Sequence, residues 1–477
     1  MGSRKVTSSE PVDWQGKHVT VAGLGVSGIP AAKALHARGA NVTVVNDGDD
    51  ARAREQAAEL EALGVTVRLG DGATLPEGTE LVVTAPGWKP DKPLFTAARE
   101  AGVEIWGDVE LAWRLRGPDA APWLAITGTN GKTTTTQMLA SILKAAGLRT
   151  AAVGNIGVSV LDAVLGDEQY DVLAVELSSY QLHWAPSLRA HSAAVLNLAP
   201  DHLDWHGSME AYAADKGRIY EGNRVACVYN AADKATEDLV READVEEGCR
   251  AVGFTLGTPG PSQLGVVEGI LVDRAFVENR QQNAQELAEV SDVDPPAPHN
   301  IANALAAAAL ARAFGVPAGA VRDGLRNFTP DPHRIAHVAD VAQVAYVDDS
   351  KATNTHAAEA SLAAYESIVW IAGGLAKGAT FDELVTKSAK RLRGVVLIGQ
   401  DRALIREALA RHAPELPVVD LDRTDTGAML AAVQEASRLA VAGDTVLLAP
   451  ACASMDMFAN YNKRGDAFAE AVRELGS

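Results

Sequence analysis

At 477 residues, 47% of them hydrophobic, the chain is too long for one compact core and implies about three domains. A formal net charge of −19 argues against nucleic acid or an anionic membrane as the main partner, because both demand dense Lys/Arg patches that the sequence does not contain. Cys227, Cys249 and Cys452 show no Cys-x-x-Cys spacing, so neither a disulfide framework nor a zinc knuckle is implied, and a reducing, cytoplasmic setting is expected.

The stretch Met1–Glu10 has no apolar signal core, and the longest apolar run, around Ala302 to Phe314, contains Arg312 and is too short for a bilayer. No membrane insertion is therefore expected. From Lys17 to about Arg116, strands at His18–Ala22, Val42–Val45, Val65–Arg68 and Leu81–Thr84 alternate with helices near Ile29–Ala37 and Arg52–Leu63. Such alternation predicts a parallel sheet with helices on its faces. Its first turn reads Gly23-Leu-Gly-Val-Ser-Gly28, and Asp47 lies just past the second strand. Glycines in a strand-to-helix turn, a helix end to receive a diphosphate and an acid for a ribose form the dinucleotide-fold arrangement, which serves NAD, FAD and other diphosphates alike.

A Gly/Pro-rich loop, Arg116–Pro122, closes this first domain, 1–117. The next segment, Leu124-Ala-Ile-Thr-Gly-Thr-Asn-Gly-Lys-Thr133, reads as a buried strand running through a glycine loop into a helix. Backbone N–H groups and the positive helix end would cradle phosphate, Lys132 would add a mobile charge, and the Thr133 hydroxyl suits Mg²⁺. The loop is a short variant, with Ile126 where the usual motif has its first glycine. Strands at Val172–Leu177 and Ala193–Asn197 follow. Glu176 ends the first of them, where an acid facing a phosphate loop would hold Mg²⁺, with Ser178 and Ser179 as further oxygen donors. The second runs into Asn197-Leu-Ala-Pro-Asp-His-Leu-Asp-Trp-His206, whose polar density indicates a site, with His202 a metal or phosphate contact and His206 left open. Lys216, read alone, is an exposed helix lysine. Between about Leu256 and Pro298 the periodicity weakens toward a short β excursion and a surface loop.

The third domain, 332–477, alternates again, with strands at Val344–Asp348, Ser367–Ala372, Val395–Ile398, Pro417–Asp420 and Asp444–Leu448, and is expected to be a parallel α/β unit. Pro332-His-Arg334 offers a ring to stack on a base and a guanidinium for phosphate. Asp348-Asp-Ser-Lys-Ala-Thr-Asn354 and Pro450-Ala-Cys-Ala-Ser-Met-Asp456 follow strands and are placed to recognise a second substrate. The fold class is thus α/β in three domains, Rossmann-like at the N-terminus, P-loop ATPase-type in the centre (118–331) and Rossmann-like at the C-terminus.

These pieces, in this order from about Gln15 to Leu475, resemble the Mur ligase family. Thr127–Thr133 matches the ATP loop that the family shares with folylpolyglutamate synthases. Asp348–Asn354 and Pro450–Phe458 resemble signatures of the D-glutamate-adding branch. The resemblance implies an ATP-dependent ligase acting in cytoplasmic peptidoglycan precursor synthesis. Its substrates would be small molecules, UDP-N-acetylmuramoyl-L-alanine and D-glutamate, and a monomer is expected. Gly23, Gly25, Val26, Ser27, Gly28 and Asp47 would bind the UDP end, with Asn155 near the muramoyl group. Gly128, Thr129, Asn130, Gly131, Lys132, Thr133 and Thr134 would bind the ATP phosphates, and Asn300, Asn303, His333, Arg334, Asp349 and Lys351 would surround the nucleotide. Two Mg²⁺ ions would be held by Thr133, Glu176, His202 and a carbamylated Lys216, with Lys132, Glu176, His202 and Lys216 as the catalytic set. Thr353, Lys377, Ser454 and Tyr461 would take D-glutamate. Three positions depart from common family residues: Ala85 for serine, Asp215 for alanine and Thr380 for aspartate. Two other readings are a sister amide ligase and a nucleotide sensor without turnover. An NAD-dependent oxidoreductase would leave Lys132 unexplained.

Overall fold

The computed structural model describes residues 12–423, 425 and 427–476; Met1–Glu10, read above for a signal core, lies outside the described residues. The chain divides into two compact units. One comprises the residues up to Glu289 together with Asn303–Asn327, the other Val290–Ala302 and the residues from Phe328 onward.

The first unit holds two sheets. Its N-terminal sheet has five parallel strands in the spatial order Thr66–Leu69, Asn41–Asn46, His18–Ala22, Leu81–Thr84, Glu104–Gly107. Strand order reverses beside His18–Ala22, and that switch point opens a crevice at the carboxyl ends of His18–Ala22 and Leu81–Thr84. The glycine turn lies there, leading into the helix Gly28–His36. Gly28 is required by close approach, because a Cβ would stand 1.9 Å from the Gly23 carbonyl oxygen. Gly28→Ala is therefore expected to cost about 1–3 kcal/mol of stability, measured by thermal unfolding.

The second sheet has nine strands. Seven are joined by parallel pairings, the first six of them in the order Ala152–Gly154, Leu173–Glu176, Trp123–Thr127, Ser192–Val195, Ala226–Asn230, Arg250–Phe254. Trp123–Thr127 is buried at every residue, as an inner strand covered on both faces must be. Gln263–Val267, Ile270–Asp273 and Gln285–Glu289 extend the sheet, the last two antiparallel. The expected β excursion is therefore an ordered edge of this sheet. Both sheets share one hydrophobic core. Trp113 and Trp123 meet edge to face at 5.0 Å, a contact worth roughly 0.5–1.5 kcal/mol beyond area burial. Buried Glu110 accepts bonds from Arg114 Nε (2.8 Å) and the Ser187 backbone N–H (2.9 Å).

The second unit carries six strands in the order Ala336–Val341, Val344–Asp348, Thr445–Leu448, Ile368–Gly373, Leu392–Ile398, Val418–Asp420. The expectation of a wholly parallel sheet fails at the edge, where Ala336–Val341 pairs antiparallel with Val344–Asp348. Ala342 and Gln343 both have positive φ (51° and 62°), making a two-residue hairpin turn without the glycine or asparagine that would have advertised it. No helix among the described residues is long and apolar enough to cross a membrane.

Candidate active site

The loop between Trp123–Thr127 and the helix Lys132–Ala145 is built by backbone constraint. Gly131 adopts φ 81°, and a Cβ on it would lie 2.4 Å from Asn303 Oδ1, which places the buried Asn303 side chain directly against the loop. Asn197 pins the same loop, accepting from Asn130 N (2.9 Å) and donating Nδ2 to Asn130 O (3.1 Å). The Thr129 hydroxyl faces inward, bonded to Ala199 O and Tyr212 Oη, and its backbone N–H donates to Asn197 O at 3.0 Å, so Thr129 braces the loop and the expected phosphate contact falls to its neighbours. Asn197 and Tyr212 were not assigned from sequence. Their signal, polar groups beside a strand end, was present only in part.

The phosphate helix starts without a side-chain cap, and so does Gly28–His36. The helices that follow Asp50, Ser159, Ser178 and Ser208 are all capped by those side chains. Pro93–Glu100 and Asp108–Leu115 are uncapped as well, so the missing cap leaves first-turn N–H groups available to an anion without marking one. Lys132 Nζ folds back onto Gly128 O and Thr129 O at 2.9 Å each.

Glu176 pairs in register with Ile126, which sets its carboxylate beside the phosphate loop. It is 1% exposed. Asn155 Nδ2 donates to Oε1 at 3.0 Å, while Oε2 is buried with no hydrogen-bond partner. A buried carboxylate oxygen without a donor costs free energy unless a cation meets it, so the residue fits a metal ligand. Ser178 and Ser179 do not serve as the expected oxygen donors: Ser178 caps the helix Ser179–His183, and the Ser179 hydroxyl is bonded to His206 Nε2 at 3.0 Å.

Lys216 corrects the reading of an exposed helix lysine. On the helix Met209–Gly217 it is 1% exposed, with Nζ donating to Gly128 O (2.8 Å) and Thr127 Oγ1 (3.2 Å). Burial, and then the nearby Lys132 charge, push the amine well below the ordinary lysine value. His202 stands at the start of the helix Leu203–His206 with φ 54°, its Nε2 3.5 Å from Asp201 Oδ2. Burial first, then Lys132 and Lys216, hold it below the ordinary histidine value against the Asp201 charge, favouring the neutral imidazole that ligates metals. His206, left open from sequence, is structural. Its enclosed ring joins Ser179 to Asp215, which also accepts from His183 Nδ1 (2.9 Å) and pairs with Arg218. Asp215 thus has three partners, His183, His206 and Arg218.

At the glycine turn, Gly25 meets open space and Val26 is 86% exposed. Ser27 Oγ is turned inward to the half-buried Asp108 (2.8 Å), so anion binding there would fall to the backbone. Asp47 is more than half exposed and paired with Lys92 Nζ at 2.5 Å. Lys92 also sits 4.4 Å over the Trp88 ring.

In the second unit, Val344–Asp348, Thr445–Leu448 and Ile368–Gly373 are neighbours, and their carboxyl ends carry Asp349, Lys351, Thr353, Ser454 and Lys377 together. His333 Nδ1 is 2.6 Å from Asp348 Oδ2. That bond raises the imidazole's pKa against burial. Lys351 Nζ lies 4.1 Å over the Tyr461 ring. Lys377 is exposed, on a loop held by paired backbone bonds between Leu375 and Ala453, 2.9 Å each. Arg334 stands 3.9 Å from Asp331, and Asn300 Nδ2 is held by Asp294 O and Pro295 O.

Buried Asp349 is pushed up to about 6 by burial, with Asp348 adding and the Ser361 hydroxyl opposing. A carboxyl whose folded pKa lies above its ordinary 3.8 holds its proton longer in the folded state. Stability is then lost as pH rises from roughly 4 to 6, by about 3 kcal/mol. Asp349→Asn is expected to remove that loss, raising Tm at pH 8; unfolding curves at pH 4, 6 and 8 check it.

Three family models cover most of this chain: the Mur ligase MurD-like N-terminal domain at residues 17–107, the Mur ligase middle domain at 126–311, and the Mur ligase glutamate ligase domain at 333–452. UDP-N-acetylmuramoylalanine–D-glutamate ligase of Streptomyces avermitilis is 88% identical over 98% of this chain and 100% of its own length. The chain belongs to the Mur ligase family. The enzyme of the same name from Thermobifida fusca is 60% identical over 97% of this Mur ligase and all of its own length. The MurF ligase of Thermotoga maritima, solved with ADP, superposes with a TM-score of 0.57 at 16% identity, covering 97% of this chain and 95% of that one. At that identity the likeness concerns the fold, which is the Mur ligase α/β architecture.

Proposed function

We propose that this Mur ligase joins D-glutamate to UDP-N-acetylmuramoyl-L-alanine with ATP, in peptidoglycan precursor synthesis. The alanyl carboxylate takes the γ-phosphoryl group, releasing ADP, and the resulting acyl phosphate is attacked by the amine of D-glutamate with loss of phosphate. The observation that carries this reading is the Glu176 carboxylate, buried with one unpartnered oxygen beside a phosphate loop, in a chain that matches D-glutamate ligases from end to end.

Lys132 and the first-turn N–H groups of the phosphate helix hold the triphosphate and offset charge on the transferring group. Asn155 orients Glu176. Lys216, buried and driven toward its neutral amine, is competent to add to CO₂, giving a carbamate and a proton; the carbamate would be an anionic oxygen ligand. Thr133, Glu176, His202 and carbamylated Lys216 would hold two Mg²⁺ ions, which supply charge neutralisation at the phosphoryl group when bound. Among the described residues no three His, Cys, Asp or Glu side chains form a metal cage, and Mg²⁺ at phosphate sites characteristically keeps waters and phosphate oxygens among its ligands. Asn300, Asn303, His333, Arg334, Asp349 and Lys351 serve the nucleotide, Thr353, Lys377, Ser454 and Tyr461 serve D-glutamate, and the glycine turn with Asp47 serves UDP. The domain limits are 1–117, 118–331 and 332–477, and the protein acts in the cytoplasm as a monomer on small molecules, without nucleic acid.

The test is phosphate release from Mg²⁺-ATP with UDP-N-acetylmuramoyl-L-alanine, comparing D-glutamate with L-glutamate, L-lysine, D-alanine and no amino acid. Release that needs both the nucleotide sugar and D-glutamate, with a new amide product, supports the assignment. Release with another amino acid moves the chain to a sister ligase, and no release with any returns it to a nucleotide sensor.

A further inference from the structure

Arg464, on the helix Tyr461–Leu475, is 1% exposed and has no carboxylate partner among the described residues. Its Nε donates to Ser350 Oγ (3.0 Å), Nη2 to Ser350 O (2.8 Å) and Nη1 to Cys452 O (3.0 Å). Burial brings the guanidinium down to about 10, a measure of how poorly this site solvates the charge. A well-packed apolar side chain of similar volume would avoid that desolvation cost. What the arginine adds is the three acceptors it joins.

Those acceptors lie on two different loops. Ser350 stands between Asp349 and Lys351, and its hydroxyl donates to Tyr461 O at 2.8 Å. Cys452 precedes Ala453, which exchanges backbone bonds with Leu375. A single guanidinium therefore anchors the loop of Asp349, Lys351 and Thr353, the loop of Ser454, the start of the helix bearing Tyr461 and, through Ala453, the loop of Lys377.

We infer that Arg464 is a positioning residue that keeps the D-glutamate-binding loops in register with the nucleotide loop of the second unit. The inference rests on the D-glutamate and nucleotide roles proposed above for those loops. Arg464 touches neither substrate; it acts through Ser350 and Cys452. Its loss uncouples the loops rather than removing a contact, so both substrates bound by this unit weaken together.

The experiment is steady-state kinetics on the full chain for wild type, Arg464→Met and Arg464→Lys, with Tm measured alongside. For Arg464→Met, KM for D-glutamate and for ATP each rise by roughly tenfold while KM for the nucleotide sugar stays within about twofold. Arg464→Lys, which keeps a buried donor but not the fork, gives intermediate values. A folded Met variant with unchanged KM for D-glutamate overturns the inference, as does an equal rise in all three KM values tracking a fall in Tm. If Arg464→Met does not fold, Ser350→Ala removes the Oγ acceptor of Arg464 Nε together with the hydroxyl bond to Tyr461 O, leaving the other two guanidinium bonds, and is expected to raise the same two KM values by a smaller factor; unchanged values there overturn the inference too. A wild-type protein inactive with D-glutamate defeats the functional reading itself, whereas an active one with indifferent Arg464 variants defeats only this inference.

Discussion

Lys132→Ala is expected to lower turnover by about 10³-fold or more, because it removes the mobile charge proposed to offset the transferring phosphoryl group. The fold should survive. Lys132 Nζ bonds the carbonyls of Gly128 and Thr129, and the Gly128 oxygen keeps a second donor in Lys216 Nζ, so the stability lost should be no more than about 1–2 kcal/mol. Phosphate-release kinetics and thermal unfolding, measured on the same preparation, separate the two effects. Normal turnover in a folded variant would remove the phosphate-loop assignment, and loss of folding would show that the loop needs the lysine for its own structure.

Lys216→Met should also lower turnover, with the opposite sign in stability. The side chain is buried among Thr127, Gly128 and the Tyr212 ring, and methionine of similar length fills that space without a desolvated amine. Tm is expected to hold or rise while kcat falls by roughly 10²–10³-fold. Lys216→Arg is expected to be equally inactive, since a guanidinium cannot form the carbamate. Labelled bicarbonate gives a direct readout: a carbamate carbon signal in wild type that is missing in both variants. Retained activity in either variant would sink the carbamate role.

The Asp349 prediction has the same character. A carboxyl buried at a strand end, raised toward 6, weakens the folded state at neutral pH, and the proposed nucleotide role is what such a residue would be kept for. In Lys216, Glu176 and Asp349 alike, a buried polar group costs stability at the point where chemistry is placed.

Much of the parallel architecture was legible in the sequence. Runs such as Trp123–Thr127 and Ile368–Gly373 are apolar at nearly every position because an inner parallel strand is covered on both faces, and the glycine turns announce themselves because no other residue tolerates the approach of Gly28 to Gly23 O. The antiparallel edge strand Ala336–Val341 was not legible. It is only partly buried, so its period-2 pattern is faint, and its turn lacks glycine.

The chemistry divides along the same line. Residue types at fixed spacing after a strand, Lys132 and Thr133 in the loop or Glu176 at a strand end, are determined by the local chain, since strand, turn and helix put them where they stand. Burial and pairing are not local properties. Lys216 looks like any helix lysine until the loop folds over it and strips its water. Likewise, Ser179, His206 and Asp215 are scattered in sequence until tertiary packing makes them one network. Arg464 is invisible in the sequence for the same reason. A charge becomes costly, and so informative, only once packing has removed the solvent around it.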